Sequence, residues 1–153
     1  MATTITASTA TVTITENITL NNVDRGSKAT VSIASINEVF NDIKSVATGG
    51  TELVKFTASV SSAGAGTLIA ANVKYIRITN LDDTNYVEVT ASDATPNDVF
   101  AVKLDAGKSF TLGSTSFDAA TSGTALTPNQ TITLIKGVAN TSAVDVEIYC
   151  LMS

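Results

Sequence analysis

Three oxygen-bearing side chains crowd one short stretch of the sequence. Asp82, Asp83 and Asn85 lie within Asn80-Leu81-Asp82-Asp83-Thr84-Asn85. Carboxylate and amide oxygens are the ligands that a hard cation such as calcium takes. The stretch lacks the D-x-D-x-D-G spacing with a distal glutamate that closes a calcium loop. Asp and Asn also favour turns, because their side chains accept hydrogen bonds from nearby backbone amides. A turn is the expected role, with calcium as the alternative. A second set of acids, Asp145 and Glu147, shares one face of a strand-like run with Tyr149. Two neighbouring carboxylates can divide acid–base work, but a solvated strand face is the expected reading. No catalytic, cofactor-binding or metal-ligating residue is therefore assigned.

The missing residue types narrow the chemistry further. The sequence has no histidine and one cysteine, Cys150. Ser–His and Cys–His nucleophiles, histidine acid–base catalysis and histidine-ligated metals are excluded together. Cys150 lies near the end of an apolar run, where a buried free thiol is expected. No GxGxxG or P-loop spacing occurs. Nine Lys and Arg stand against fourteen Asp and Glu, for a net charge of −5. The basic residues are scattered singly, so no stripe exists to hold phosphates, and nucleic acid is not an expected partner. No apolar run approaches the roughly 18 residues that span a bilayer. The first residues, Met1 to Thr15, carry neither a basic nor an apolar block, so a secretory signal is not expected there.

The elements that must carry these residues are strands. Threonine alternates with β-branched apolar residues, a pattern that suits a half-buried pleated surface. Val12, Ile14, Ile18 and Leu20 fall at even positions. The uncharged residues 1–15 read as an extended arm, and 21–27 as a loop. Over 36–47 two patterns compete. Ile36, Val39, Phe40 and Ile43 fit helical spacing, with Ser35 and Glu38 as a capping box and Gly49-Gly50 as a stop. The same residues also divide into two short strands. Small-residue stretches at 58–67 and 113–130 read as loops, the former a candidate for partner contact.

Three hairpins are expected downstream. The first pairs Ile78 with Val87 and Ile76 with Val89, which places Arg77 opposite Glu88 and leaves Leu81 to Thr84 as the loop. The second pairs Val102 with Phe110 and Phe100 with Leu112 around Asp105-Ala106-Gly107. The third sets 131–138 against 143–152. Ile132, Leu134 and Val138 share one side of its first strand, and Val144, Val146, Ile148 and Cys150 share one side of the other. The expected core comprises Ile76, Ile78, Val87, Val89, Phe100, Val102, Leu104, Phe110, Leu112, Leu134, Val146 and Ile148.

Residues 73–112, through "VKYIRITNLDDTNYVEV" and "FAVKLDAGKSFTL", resemble small structural proteins of tailed bacteriophage particles. In these, an "RITNLD-TN" turn is followed by a short strand and a "KL-AG" turn. Residues 36–57 resemble the upstream part of that pattern, where it forms strands, and strands are accordingly expected there. The resemblance implies an all-β, antiparallel β-sandwich or jelly-roll-like domain of about eight strands. With the sequence pattern it gives an arm at 1–15 and a single domain at 16–153. It further implies a non-enzymatic virion component without cofactor, either a capsid decoration (cement) protein or a neck or tail part. The implied partners are other copies of itself, a trimer by resemblance, and the major capsid protein. The implied location is the outer capsid surface. A carbohydrate- or receptor-binding sandwich is the competing class, but sugar sites favour aromatic platforms, and the chain has no Trp and three Tyr.

Overall fold

The computed structural model describes residues 5–58, 66–93, 99–112 and 132–153. The expected loop at 113–130, and the middle of that at 58–67, lie outside these residues. Alternation of Thr with Val and Ile produces strands along nearly all of the described chain. Its single helical element is a 3-10 turn at Ala70–Asn72. The protein is all-β, as expected. Residues 36–47 are extended, and Ser35, read above as a possible helix cap, has a left-handed φ of 63°. Contacts divide the chain after Glu38. The arm expected at 1–15 is thus only part of the first unit, and residues 8–15 already lie in a paired strand.

That first unit is a two-stranded antiparallel ribbon, β1 (Ser8–Glu16) against β4 (Ser27–Ile36). Its end is a short hairpin of β2 (Thr19–Leu20) and β3 (Val23–Asp24). Asn21 and Asn22, with φ of 52° and 61°, make the turn. Two successive left-handed residues match the twist of a tight hairpin, and Asn tolerates them. The segment 21–27, read as a loop, therefore contains a strand. Along the ribbon Ala10 pairs with Ile33, Val12 with Val31 and Ile14 with Ala29. One face is therefore aliphatic. The other carries Thr11, Thr13, Thr15, Thr30 and Ser32, with the Thr13 and Thr30 hydroxyls 3.5 Å apart. The register shifts between Ser8 and Ala10, opposite the left-handed Ser35, as a bulge requires.

The second unit is a β-sandwich. Its five-stranded sheet has the order β10-β9-β12-β6-β7: β10 is Val99–Leu104, β9 Val87–Ser92, β12 Leu134–Ala139, β6 Thr51–Thr57 and β7 Thr67–Ile69. Only β7 runs parallel to its neighbour. The four-stranded sheet has the order β11-β8-β13-β5: β11 is Ser109–Leu112, β8 Val73–Asn80, β13 Val144–Met152 and β5 Glu38–Val46. Both sheets line one core. Val46, Ile78, Val144, Val146, Ile148 and Cys150 come from one side, and Leu53, Val54, Val87 and Ile135 from the other. Each such large aliphatic side chain contributes about 1.5–3 kcal/mol by leaving water. At Gly137 the sheets come close. A Cβ there would stand 3.1 Å from Val46 Cγ1, 3.3 Å from Val46 Cγ2 and 3.4 Å from Leu53 Cδ1.

The three expected hairpins are corrected by this topology. Consecutive strands β8 and β9 belong to opposite sheets, and so do β10 and β11, and β12 and β13. Each turn is an arch that crosses the sandwich. Ile78 pairs with Phe110 and Ile148, whereas Val87 pairs with Leu104 and Ala139. Arg77 stands beside Thr111 and Tyr149, and Glu88 beside Lys103 and Val138. Val102 pairs with Val89, not Phe110. Gly107 (φ 69°) and the bond from Lys108 N to Asp105 O (3.0 Å) do form the expected tight turn, but between sheets.

Of the expected core, Ile76, Ile78, Val87, Val89, Leu104, Leu112, Val146 and Ile148 are buried. Val102 and Phe110 are half-buried at its margin. Phe100 is 39% exposed and meets Phe110 with ring centroids 5.8 Å apart. Leu134 is also only half-buried, because β12 turns Ile135, Gly137 and Ala139 inward instead.

Candidate interaction surface

The Asn/Asp stretch is the arch between β8 and β9. Asp82 Oδ1 accepts from the backbone N–H of Asn85 (2.6 Å) and of Thr84 (2.8 Å). Those two amides, Asn85 first, hold its carboxyl below the usual carboxylate range. Asp83 accepts from the Thr84 hydroxyl at 2.9 Å. Asn85 Nδ2 reaches the Ser142 hydroxyl (3.2 Å), in the arch between β12 and β13. Fully buried Asn80 organises the group. Its Nδ2 donates to the carbonyls of Asn85 (2.9 Å) and Leu104 (3.1 Å), and its Oδ1 accepts from Asp82 N–H (3.0 Å). Of the three residues that could have gathered calcium, Asp82 fastens backbone, Asp83 holds the Thr84 hydroxyl and Asn85 reaches Ser142 through its nitrogen. Among the described residues, no group of three or more Asp, Glu or Cys is disposed to hold a metal ion.

The acids of β13 separate in role. Asp145 is exposed, and its backbone carbonyl accepts from Leu81 N–H (2.9 Å). Glu147 is ion-paired with Arg77 across the β8–β13 ladder at 2.6 Å. The guanidinium also lies over the Tyr149 ring, 5.3 Å from its centroid, a cation–π geometry. Tyr75 lies on the same face; burial raises its pKa, with a smaller increase from Tyr149 set against Arg77. This patch is cross-linked internally, and nothing aims its acids at a common point. Sequence reasoning gave Arg77 to Glu88, and only the true strand order reveals Glu147 as its partner. Cys150 is buried, and burial pushes its thiol up to about 12, far from a nucleophile's range.

Apolar exposure provides a different kind of site. The ribbon presents Ile14 at 55% and Val31 at 58% exposure, and its end presents Ile18, Leu20 and Val23, each about half exposed. A two-stranded ribbon is marginal in water unless its apolar face is covered. Exposed apolar groups gathered on one element mark an interaction surface more often than a solvent face. The sequence displayed half of this surface, through Val12, Ile14, Ile18 and Leu20. It also displayed the alternation of Val31 with Ile33, but not that their strand pairs with β1. On the sandwich, Val39 and Ile43 are exposed on the edge strand β5.

Comparison of the chain with protein-family models, with curated proteins and with solved structures returned no match.

Proposed function

We propose that this chain is a non-enzymatic structural protein of a tailed-bacteriophage particle, acting as a capsid decoration protein on the outer shell. The observation that carries the reading is the ribbon, residues 8–36, a contact element on which Ile14, Ile18, Leu20, Val23 and Val31 remain about half exposed in the isolated chain. It stands beside the sequence resemblance at 36–57 and 73–112. A subunit that works by holding neighbours needs a stable body and a surface that gains by being covered. Binding of this kind stabilises the assembled state, as any ligand stabilises the state it prefers. The partners in this reading are the major capsid protein and further copies of the chain.

The test is to incubate the purified chain with bare shells and locate it by cryo-electron microscopy, alongside a variant lacking residues 2–38. The expected result is density on the outer capsid surface with the full chain, and weakened decoration with the truncated one. Density at the neck or tail would move the protein to that part of the particle. Absence from every part of the particle would overturn the reading.

A further inference from the structure

We propose that the aliphatic face of the β1–β4 ribbon is self-complementary and docks against the same face of a second copy of this chain. The inference rests on the reading of the ribbon as a contact element and names its partner.

Three rungs make up the face: Ala10 opposite Ile33, Val12 opposite Val31, and Ile14 opposite Ala29. The two isoleucines occupy one diagonal of this six-residue patch. The two alanines occupy the other, with the valine pair between. A half-turn about the normal to the patch exchanges Ile14 with Ile33, Ala10 with Ala29 and Val12 with Val31, so the pattern is unchanged. A second copy can be laid on by a two-fold axis in the plane between the ribbons, running either along or across the strands. Either axis exchanges the diagonals. Every isoleucine then stands over an alanine, and the valines meet at the centre. Stacked sheets interdigitate best when large residues face small ones, and a two-fold interface requires this kind of self-match.

None of the six positions is charged, and the acid of this face, Glu16 opposite Ser27, lies one rung beyond them at the edge of the patch. Lys28 pairs with Thr15 and lies on the hydroxyl face. Six large apolar residues of this unit are exposed: Ile5, Ile14, Ile18, Leu20, Val23 and Val31. Of these, Ile14 and Val31 belong to the three rungs and, at on the order of 100 Å² each, give two copies on the order of 400 Å²; Ile18, Leu20 and Val23 at the ribbon's end must join the contact for it to approach the roughly 1,200 Å² of a specific interface. Pairing would also supply the packing layer that an isolated ribbon lacks.

The experiment is sedimentation and native mass measurement of the full chain from about 1 to 100 μM, with two variants. The first, A10I with A29I, fills the small diagonal and makes the face more apolar. The second, A10I, I14A, A29I and I33A, exchanges the diagonals without changing composition. Expected are a dimer for the natural chain, association weakened about tenfold or more in the first variant, and association restored to within about threefold in the second. Circular dichroism of each variant establishes that the sandwich is folded. A monomer across the whole range would overturn the proposal. So would tighter association of the first variant, which would show a merely sticky surface, or a trimer indifferent to all these changes. A monomer that binds shells through its ribbon would assign the face to the capsid instead. Mass in solution tests the pairing without any particle and shell binding tests the function, so the two can fail separately.

Discussion

Replacing Asn80 by Ala should be among the most damaging single changes to the sandwich. Asn80 is fully buried, and its side chain makes three hydrogen bonds that tie β8, the arch at 81–86 and the end of β10. At about 1 kcal/mol net for each bond, their loss costs about 3 kcal/mol, before any penalty for leaving the Leu104 carbonyl dry. For a chain of this length about 3 kcal/mol corresponds to a fall in Tm of roughly 6–12 °C. Thermal unfolding followed by circular dichroism measures it. Asn80→Asp sharpens the test, because it keeps the shape but aims a carboxylate at two carbonyl oxygens. Burial and those oxygens would raise the folded-state pKa of the new acid above its unfolded value. The deficit of this variant should therefore be greatest near neutral pH. It should shrink as pH falls through the raised pKa towards the ordinary aspartate range. A fall of less than about 2 °C for Asn80→Ala, or an Asp variant whose deficit grows on acidification, would refute the reasoning.

Other residues give independent expectations. Gly137→Ala should destabilise by about 1–3 kcal/mol in chemical denaturation, because its methyl would press on Val46 and Leu53. Gly49→Ala, whose methyl meets nothing within 4 Å, is the control. Cys150 should resist a thiol reagent in the native protein at about pH 8 and react fully on unfolding, given its burial. Glu147→Gln should cost about 0.5–1 kcal/mol through its half-exposed pair with Arg77, whereas Glu88→Ala should hardly move the Tm.

What the sequence discloses here is the face each strand buries, more than the strand it lies beside. In β9, and in β8 and β13 apart from the start of the one and the end of the other, burial alternates, and Ile78, Val87, Val146 and Ile148 are buried as expected. Pairing Ile78 with Val87 answered a real constraint, that both must leave water. The sandwich meets it by placing them in one core from opposite sheets. Asn, Asp and Gly serve an arch as well as a hairpin, so Asp105-Ala106-Gly107 specifies a tight turn without specifying which sheet receives the next strand. In β12 the inward residues include Gly137 and Ala139, whose small size hid the parity, while Ile132 and Leu134 attracted it. The ribbon was half legible, because the alternation of Val31 with Ile33 does not say that their strand pairs with β1. The role of Asn80 was hidden entirely, since its partners are backbone groups that only the arch brings near.

The three arches also govern the order in which structure can form. The chain passes back and forth between the two sheets, so the five-stranded sheet is complete only once β12 is made and the four-stranded sheet only when the whole run from β5 to β13 is present. The four-stranded sheet is the sharper case: β13 lies between β8 and β5 and pairs with β8 from Val146 to Met152. Until β13 is in place, β5 has no ladder joining it to β8, and the inner surface of the other sheet has little to close upon. Such non-local pairing slows the search for the native state and leaves strand edges open during it. The sandwich should therefore close in one late, concerted step, with the preceding strands held aggregation-prone until β13 is available to them.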